Sequence, residues 1–173
     1  MRKVSLYIAA SLDGYIARRD GSIDWLPTDQ DYGYADFIGR TDTVILGRKT
    51  YEVARQLMPG NPFPGKRTVV FSRTRTARRD KYAEFVGGDI VGSIRELREQ
   101  PGQTIWLVGG AKIVRTCLTA GVVDEIILSL PPLLLGDGVP LFLRRAVSTP
   151  LTLRNCHSFP GGLVQLAYDV QAA

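Results

Sequence analysis

Thr43-Val44-Ile45-Leu46-Gly47-Arg48-Lys49-Thr50-Tyr51-Glu52 changes its period in the middle. Thr43 to Gly47 reads as a central strand. After the glycine, Tyr51, Val53, Ala54, Leu57 and Met58 fall at near-helical spacing and stop before Pro59-Gly60. A strand that runs through glycine into a helix is the repeating unit of a parallel sheet. The unit recurs downstream. Thr104 to Val108 runs straight into Gly109-Gly110, and a helix follows from Ala111 to Ala120 with Gly121 as its C′ residue.

The flanking sequence extends the alternation. Val4 to Ala10 reads as a buried strand, followed by turns at Asp13-Gly14 and Asp20-Gly21. Tyr32 to Gly39 is a short helix, and Pro59 to Gly65 is a rigid loop. Arg67 to Ser72 is a strand and Tyr82 to Val86 a weaker one. Ser93-Ile-Arg-Glu96 has the form of a capping box opening a helix through Gln100, which Pro101-Gly102 ends. Val123 to Leu130 is a further strand. Leu151 to Phe159 and Leu163 to Val170 flank Pro160-Gly161-Gly162 as a closing antiparallel hairpin. The expectation is one α/β domain over residues 1–173, a mixed sheet of about eight strands flanked by helices.

Composition agrees. Of 173 residues 45% are apolar and 23% charged, which excludes disorder, and prolines exclude a coiled coil. The net charge of +5 favours an anionic ligand without naming one. Cys117 and Cys156 form no C-x-x-C pair and are expected as buried free thiols; no metal site is expected. The Val4 to Ala10 run is too short and broken for a signal peptide. Ile126 to Leu135, interrupted by Pro131 and Pro132, is far short of a membrane span. A cytoplasmic protein without membrane contact is expected.

Ligands of parallel sheets bind outside the carboxyl ends of the strands, so the residues just after each strand are the candidates. Gly47-Arg48-Lys49-Thr50 offers a helix N-terminus with two cations and a hydroxyl, suited to phosphate. Val108-Gly109-Gly110-Ala111-Lys112 offers paired glycines that let backbone approach a pyrophosphate, although neither common nucleotide fingerprint is present. Ser72-Arg73 ends the third such strand. Lys66 to Lys81 holds seven cations against the single acid Asp80; within it Arg73 is fixed by the strand, while Arg75, Arg78 and Arg79 read as a solvated loop. Asp20 to Asp42 is acidic. Asp20 and Asp42 read as turn and cap residues, and one of Asp29 or Asp31, beside Trp25, Tyr32 and Tyr34, is placed to face a cationic heterocycle. His157, the sole histidine, is read as structural or exposed.

Four segments then carry a resemblance: Ala9-Ala-Ser-Leu-Asp-Gly-Tyr-Ile-Ala17, Ile45-Leu-Gly-Arg-Lys-Thr-Tyr-Glu52, Val69-Val-Phe-Ser-Arg73 and Trp106-Leu-Val-Gly-Gly-Ala111. In that order the chain resembles the dihydrofolate reductase-like superfamily. Within it the chain is most similar to the C-terminal reductase domain of bifunctional riboflavin-biosynthesis deaminase-reductases and its stand-alone bacterial relatives. Val123-Asp-Glu-Ile126 and Pro132-Leu-Leu-Leu-Gly-Asp-Gly-Val-Pro-Leu-Phe142 fit that second group.

The resemblance implies an NADPH-dependent reductase acting on a pyrimidine- or pterin-like heterocycle. Ala10 would border the nicotinamide. Gly47, Arg48, Lys49 and Thr50 would meet the phosphates, and Val108, Gly109, Gly110, Ala111, Lys112 and Ile113 the pyrophosphate. Ser72 and Arg73 would meet the 2′-phosphate. Trp25, Leu26 and one of Asp29 or Asp31 would meet the substrate. Related domains often dimerise, which leaves a homodimer open. Tyr15 stands where riboflavin-type reductases usually carry lysine, and Gly-Arg-Lys-Thr-Tyr-Glu is the folate-reductase form. Reduction of a riboflavin-pathway pyrimidine and of dihydrofolate therefore both stand. A protein that binds nucleotide or nucleic acid without catalysis is the reading from another class. For nucleic acid the aromatics that should interleave the basic window are few.

Overall fold

The strand–glycine–helix units lie side by side. The computed structural model describes residues 1–73, 80–145 and 148–171. In chain order the elements are β1 (Val4–Ala9), β2 (Tyr15–Ala17), α1 (Tyr34–Gly39), β3 (Thr41–Gly47), α2 (Arg48–Leu57), β4 (Arg67–Phe71) and β5 (Glu84–Val86). Then come α3 (Ile90–Glu99), β6 (Thr104–Gly109), α4 (Ala111–Thr119), β7 (Glu125–Leu130), β8 (Val139–Pro140), β9 (Leu151–Ser158) and β10 (Val164–Val170). Eight strands form one sheet in the order β5-β4-β3-β6-β1-β7-β10-β9. The first six are mutually parallel; β10 joins β7 antiparallel and β9 pairs with β10 as the expected hairpin.

Period-2 alternation sorts the strand residues into two cores. Val4, Leu6, Ile45, Ile105, Leu107 and Ile126 face Ile94 and Leu97 of α3 and Ile113, Val114, Cys117 and Leu118 of α4. Val44, Leu46, Val70, Trp106 and Ile127 face Phe37 of α1, Tyr51 of α2 and the loop residue Phe63. Both sheet faces are covered, which is why the inner strands carry apolar runs rather than alternation.

Four expectations need correction. α3 begins at Ile90, not at a Ser93 cap. The Asp89 carboxylate accepts the Gly92 N–H at 2.9 Å, and the Ser93 hydroxyl lies inside the first turn, donating to the Asp89 carbonyl. The earlier start lets Ile90 and Val91 pack against the core. Asp42 is no cap either: it sits in β3, pairs with the buried Arg2 and accepts the Gln103 N–H. Cys117 is buried as expected, but Cys156 is exposed because β9 is the sheet edge, with all eight residues open. Finally, β2 and β8 form a second, two-stranded antiparallel sheet that the sequence reading missed. Arg75, Arg78 and Arg79 lie outside the described residues. Among the described residues no helix is long and apolar enough to cross a membrane.

Candidate active site

Adjacent strands β3 and β6 send their helices to opposite faces of the sheet, α2 to one core and α4 to the other. Such a switch opens a crevice at the carboxyl ends of the two strands. Gly47 and Gly110 form its walls. A Cβ on Gly47 would lie 3.3 Å from Ile113 Cδ1 and 3.9 Å from the Gly110 nitrogen, and one on Gly110 would lie 3.1 Å from Thr50 Oγ1. Four residues singled out in the sequence, Gly47, Thr50, Gly110 and Ile113, therefore meet here. Gly109 has φ +126°, a backbone that side chains rarely adopt.

Both helices start on this crevice without a side-chain cap, at Gly47 and Gly110, and neither has an acid in its first turn. Their early N–H groups and positive dipole ends meet cations: Arg48 and Lys49 on α2, Lys112 on α4. Arg48 is steadied by Glu52 at 2.7 Å, while Lys49 and Lys112 are exposed. The neighbouring strand ends extend this edge. β4 pairs Phe71 with Gly47, bringing Ser72 and Arg73 beside β3; the Ser72 N–H donates to the Val86 carbonyl at 2.9 Å, and Arg73 is exposed. On the other side of β6, Ala10 follows β1 and is fully buried. Cations, free helix N-termini and side-chain-free backbone make an edge that fits a dinucleotide's phosphates.

The segment leading into α1 carries the acids. Asp29 accepts the Tyr32 hydroxyl at 2.6 Å, a bond that pushes the Tyr32 phenol pKa up, and Asp31 accepts the Ala35 N–H at 3.0 Å, capping α1. Both carboxylates are exposed. Tyr32, at φ 53°, and Gly33, at φ 77°, turn the chain sharply. The Tyr32 carbonyl then accepts from Gln165 Nε2 at 3.1 Å and from the Tyr7 hydroxyl at 3.3 Å. Tyr7 stacks on Phe37 at 4.2 Å, and burial pushes its phenol pKa up. Trp25 and Leu26 are half-buried, and the Trp25 indole N–H is buried without a hydrogen-bond partner among the described residues.

Sequence reasoning missed a groove of about 370 Å³ between the 20–24 turn and α2, lined by Asp20, Ile23, Asp24, Val53, Gln56 and Leu57 among others. Thr50, Val53 and Leu57 lie at i, i+3 and i+7 on α2, so the groove continues the helix face whose first residue touches the crevice. The signal was present as this spacing, but it reads equally as core. A second missed device fixes the turn after β1. Asp13 accepts the Ser11 hydroxyl at 2.6 Å and the N–H groups of Leu135 and Gly136, tying the 11–17 turn to the loop before β8. The Ser11 hydroxyl, with the backbone donors, holds its carboxyl below the usual range.

The family model described as the RibD C-terminal domain matches residues 2–165. The uncharacterized protein YwjB of Bacillus subtilis (strain 168) is 41% identical over 170 residues, covering 96% of this chain and 97% of its own. A crystal structure from Shewanella sp. PV-4, of a protein provisionally assigned to riboflavin biosynthesis, superposes with a TM-score of 0.87. It is 27% identical and covers 99% of this chain and 100% of its own. A diaminohydroxyphosphoribosylaminopyrimidine deaminase/5-amino-6-(5-phosphoribosylamino)uracil reductase from Thermotoga maritima shares the fold. Its TM-score is 0.75 at 19% identity, over 97% of this chain and 56% of its own.

Proposed function

The chain belongs to the RibD C-terminal domain family, and from that premise we propose that it is an NADPH-dependent reductase of a small pyrimidine- or pterin-like heterocycle, of the riboflavin-biosynthesis type. The observation that carries this reading is the crevice between β3 and β6, where two uncapped helix N-termini meet over Gly47 and Gly110. Bound there, NADPH supplies the hydride. The chain's own residues bind and orient. The first turns of α2 and α4 donate N–H groups to the phosphates, Lys49 and Lys112 balance their charge, and the absence of side chains at Gly47, Gly109 and Gly110 allows close approach. Ala10, just after β1, would border the reacting ring. One of Asp29 or Asp31 stabilises a protonated imine of the substrate, aided by Trp25 and Leu26.

Ser72 and Arg73 select the cofactor. A 2′-phosphate carries nearly two negative charges and takes a cation plus a hydroxyl donor, the groups that Ser72 and Arg73 would bring to it just after β4. Replacing Arg73 with alanine should weaken NADPH binding roughly ten- to a hundredfold, the value of one charge-assisted pair. NADH binding should stay unchanged. Dissociation constants of both cofactors measured on the variant check this; a parallel loss for the two overturns the assignment. A protein that gains thermal stability with short DNA and not with NADPH overturns the reductase reading as a whole.

A further inference from the structure

Tyr32 is the one residue other than glycine with a positive φ among the described residues. A backbone held there persists only where its surroundings fix it, and such residues cluster at active sites and ligand clamps. Four contacts fix Tyr32. Its hydroxyl donates to Asp29, its ring meets Phe159 edge-on at 5.1 Å, and its carbonyl accepts from Tyr7 and from Gln165. Gln165, half-buried on β10, reaches further. The same Nε2 donates to the Ser129 hydroxyl on β7 at 3.0 Å, and the Ser129 carbonyl accepts the Ala10 N–H at 3.0 Å. Ser129 and Ala10 are both buried. The Gln165 Oε1 lies against Gly33, 3.7 Å from where a Cβ on that residue would stand. One carboxamide thus joins the turn that carries both acids to the strand end proposed for the nicotinamide.

We infer that Gln165 is a positioning residue, which sets the distance between the acid-bearing turn and the reacting ring at Ala10. The inference rests on the reductase reading and adds a residue to it. Asp29 is tied to Tyr32 through the phenol, and Asp31 directly precedes Tyr32, so both acids move with the Tyr32 backbone. Glutamine suits the place because its amide offers two N–H groups, here to one acceptor in the turn and one on β7. Leucine, of similar size, offers none and leaves the Tyr32 carbonyl with the longer Tyr7 bond alone. Hydride transfer needs reacting atoms held about 3–3.5 Å apart, so a turn that drifts costs rate more than affinity.

The test uses the intact protein with NADPH. Gln165→Leu should leave the NADPH dissociation constant within about twofold of wild type. Backbone hydrogen exchange across residues 29–37 should quicken about tenfold or more, with the central strands unchanged. With dihydrofolate or 5-amino-6-(5-phosphoribosylamino)uracil as substrate, kcat should fall roughly ten- to a hundredfold while KM changes less than about threefold. Gln165→Glu, the same shape without an N–H at neutral pH, should do the same, which separates donation from packing. NADPH binding combined with unchanged exchange across residues 29–37, with a wild-type kcat, or with a loss confined to KM overturns the inference alone. Where the wild type turns over neither substrate, the exchange result decides. A wild type that fails to bind NADPH overturns the reductase reading and the positioning role with it.

Discussion

Replacing Glu125 with glutamine removes one of the few charges that the sheet buries. Its side chain is 1% exposed at the start of β7, where the Ser5 hydroxyl donates to it at 2.6 Å, Arg40 approaches at 3.2 Å and Arg154 pairs with its other oxygen. Burial pushes the carboxyl pKa up, but the Ser5 hydroxyl and the two guanidiniums outweigh it and hold the group below its ordinary value. Glutamine keeps the shape and the Ser5 bond and gives up the charge. A bond to a charged partner contributes about 1.5–3 kcal/mol. Arg40 and Arg154 are 44% and 40% exposed and can turn to water, so the expected loss is near the low end, about 2 kcal/mol. For a domain of this size that lowers Tm by roughly 4–8 °C. The pH dependence gives the sign. A carboxyl with a depressed folded pKa contributes stability above its unfolded pKa, and that contribution is lost as pH falls through the folded pKa. The gap between wild type and Glu125→Gln should therefore be constant above about pH 5 and close in acid. Thermal and urea unfolding of both proteins from neutral to acid pH measure it. A variant within about 0.5 kcal/mol of wild type at neutral pH, or a gap that does not close in acid, refutes the reasoning.

Gly47→Ala aims a methyl group at the flexible end of Ile113, so stability should change by less than about 1 kcal/mol while NADPH affinity falls tenfold or more. Titration beside a melting curve checks this, and matched losses in both would show that the residue serves the fold alone. Gly138→Ala drives a Cβ into the Ala17 carbonyl oxygen and should separate β2 from β8 at a cost of about 1–3 kcal/mol; an unchanged melting curve would contradict it. A thiol reagent on the native protein should label Cys156 quickly and leave Cys117, whose thiol burial pushes up to about 12, untouched. Cys156→Ser should then abolish the fast phase, and rapid labelling of both thiols would refute the burial.

What the sequence disclosed divides along the range of the interactions involved. Strand, glycine and helix at Gly47 and at Gly110 are written in consecutive residues, so the two walls of the crevice were legible before any strand had a neighbour. The β2–β8 sheet was not, because three residues pair with two from more than a hundred positions away. Segments that short show no period. The Asp13 carboxylate that joins them reads locally as an ordinary turn residue. At α3 two local signals competed, the Asp89 cap and the Ser93–Glu96 spacing. The longer helix prevails because it also buries Ile90 and Val91, a tertiary gain that no window of sequence contains.

Leu57 shows the same limit on α2. Its helical spacing from Tyr51 and Ala54 predicts core, yet Tyr51 is 3% exposed and Leu57 57%. Six residues along α2 set Leu57 about 120° around the helix from Tyr51, and it is the Tyr51 face that packs against the sheet. Leu57 falls instead with Thr50 and Val53, on a face that runs from the glycine walls to the groove opposite Ile23. Two faces of one helix thus have different surroundings: the first packs on the sheet, and the second runs from the N-terminal turn to an apolar surface open to solvent. A sequence reading that scores the stripe as a single core element merges the two. The exposed leucine at its far end separates them.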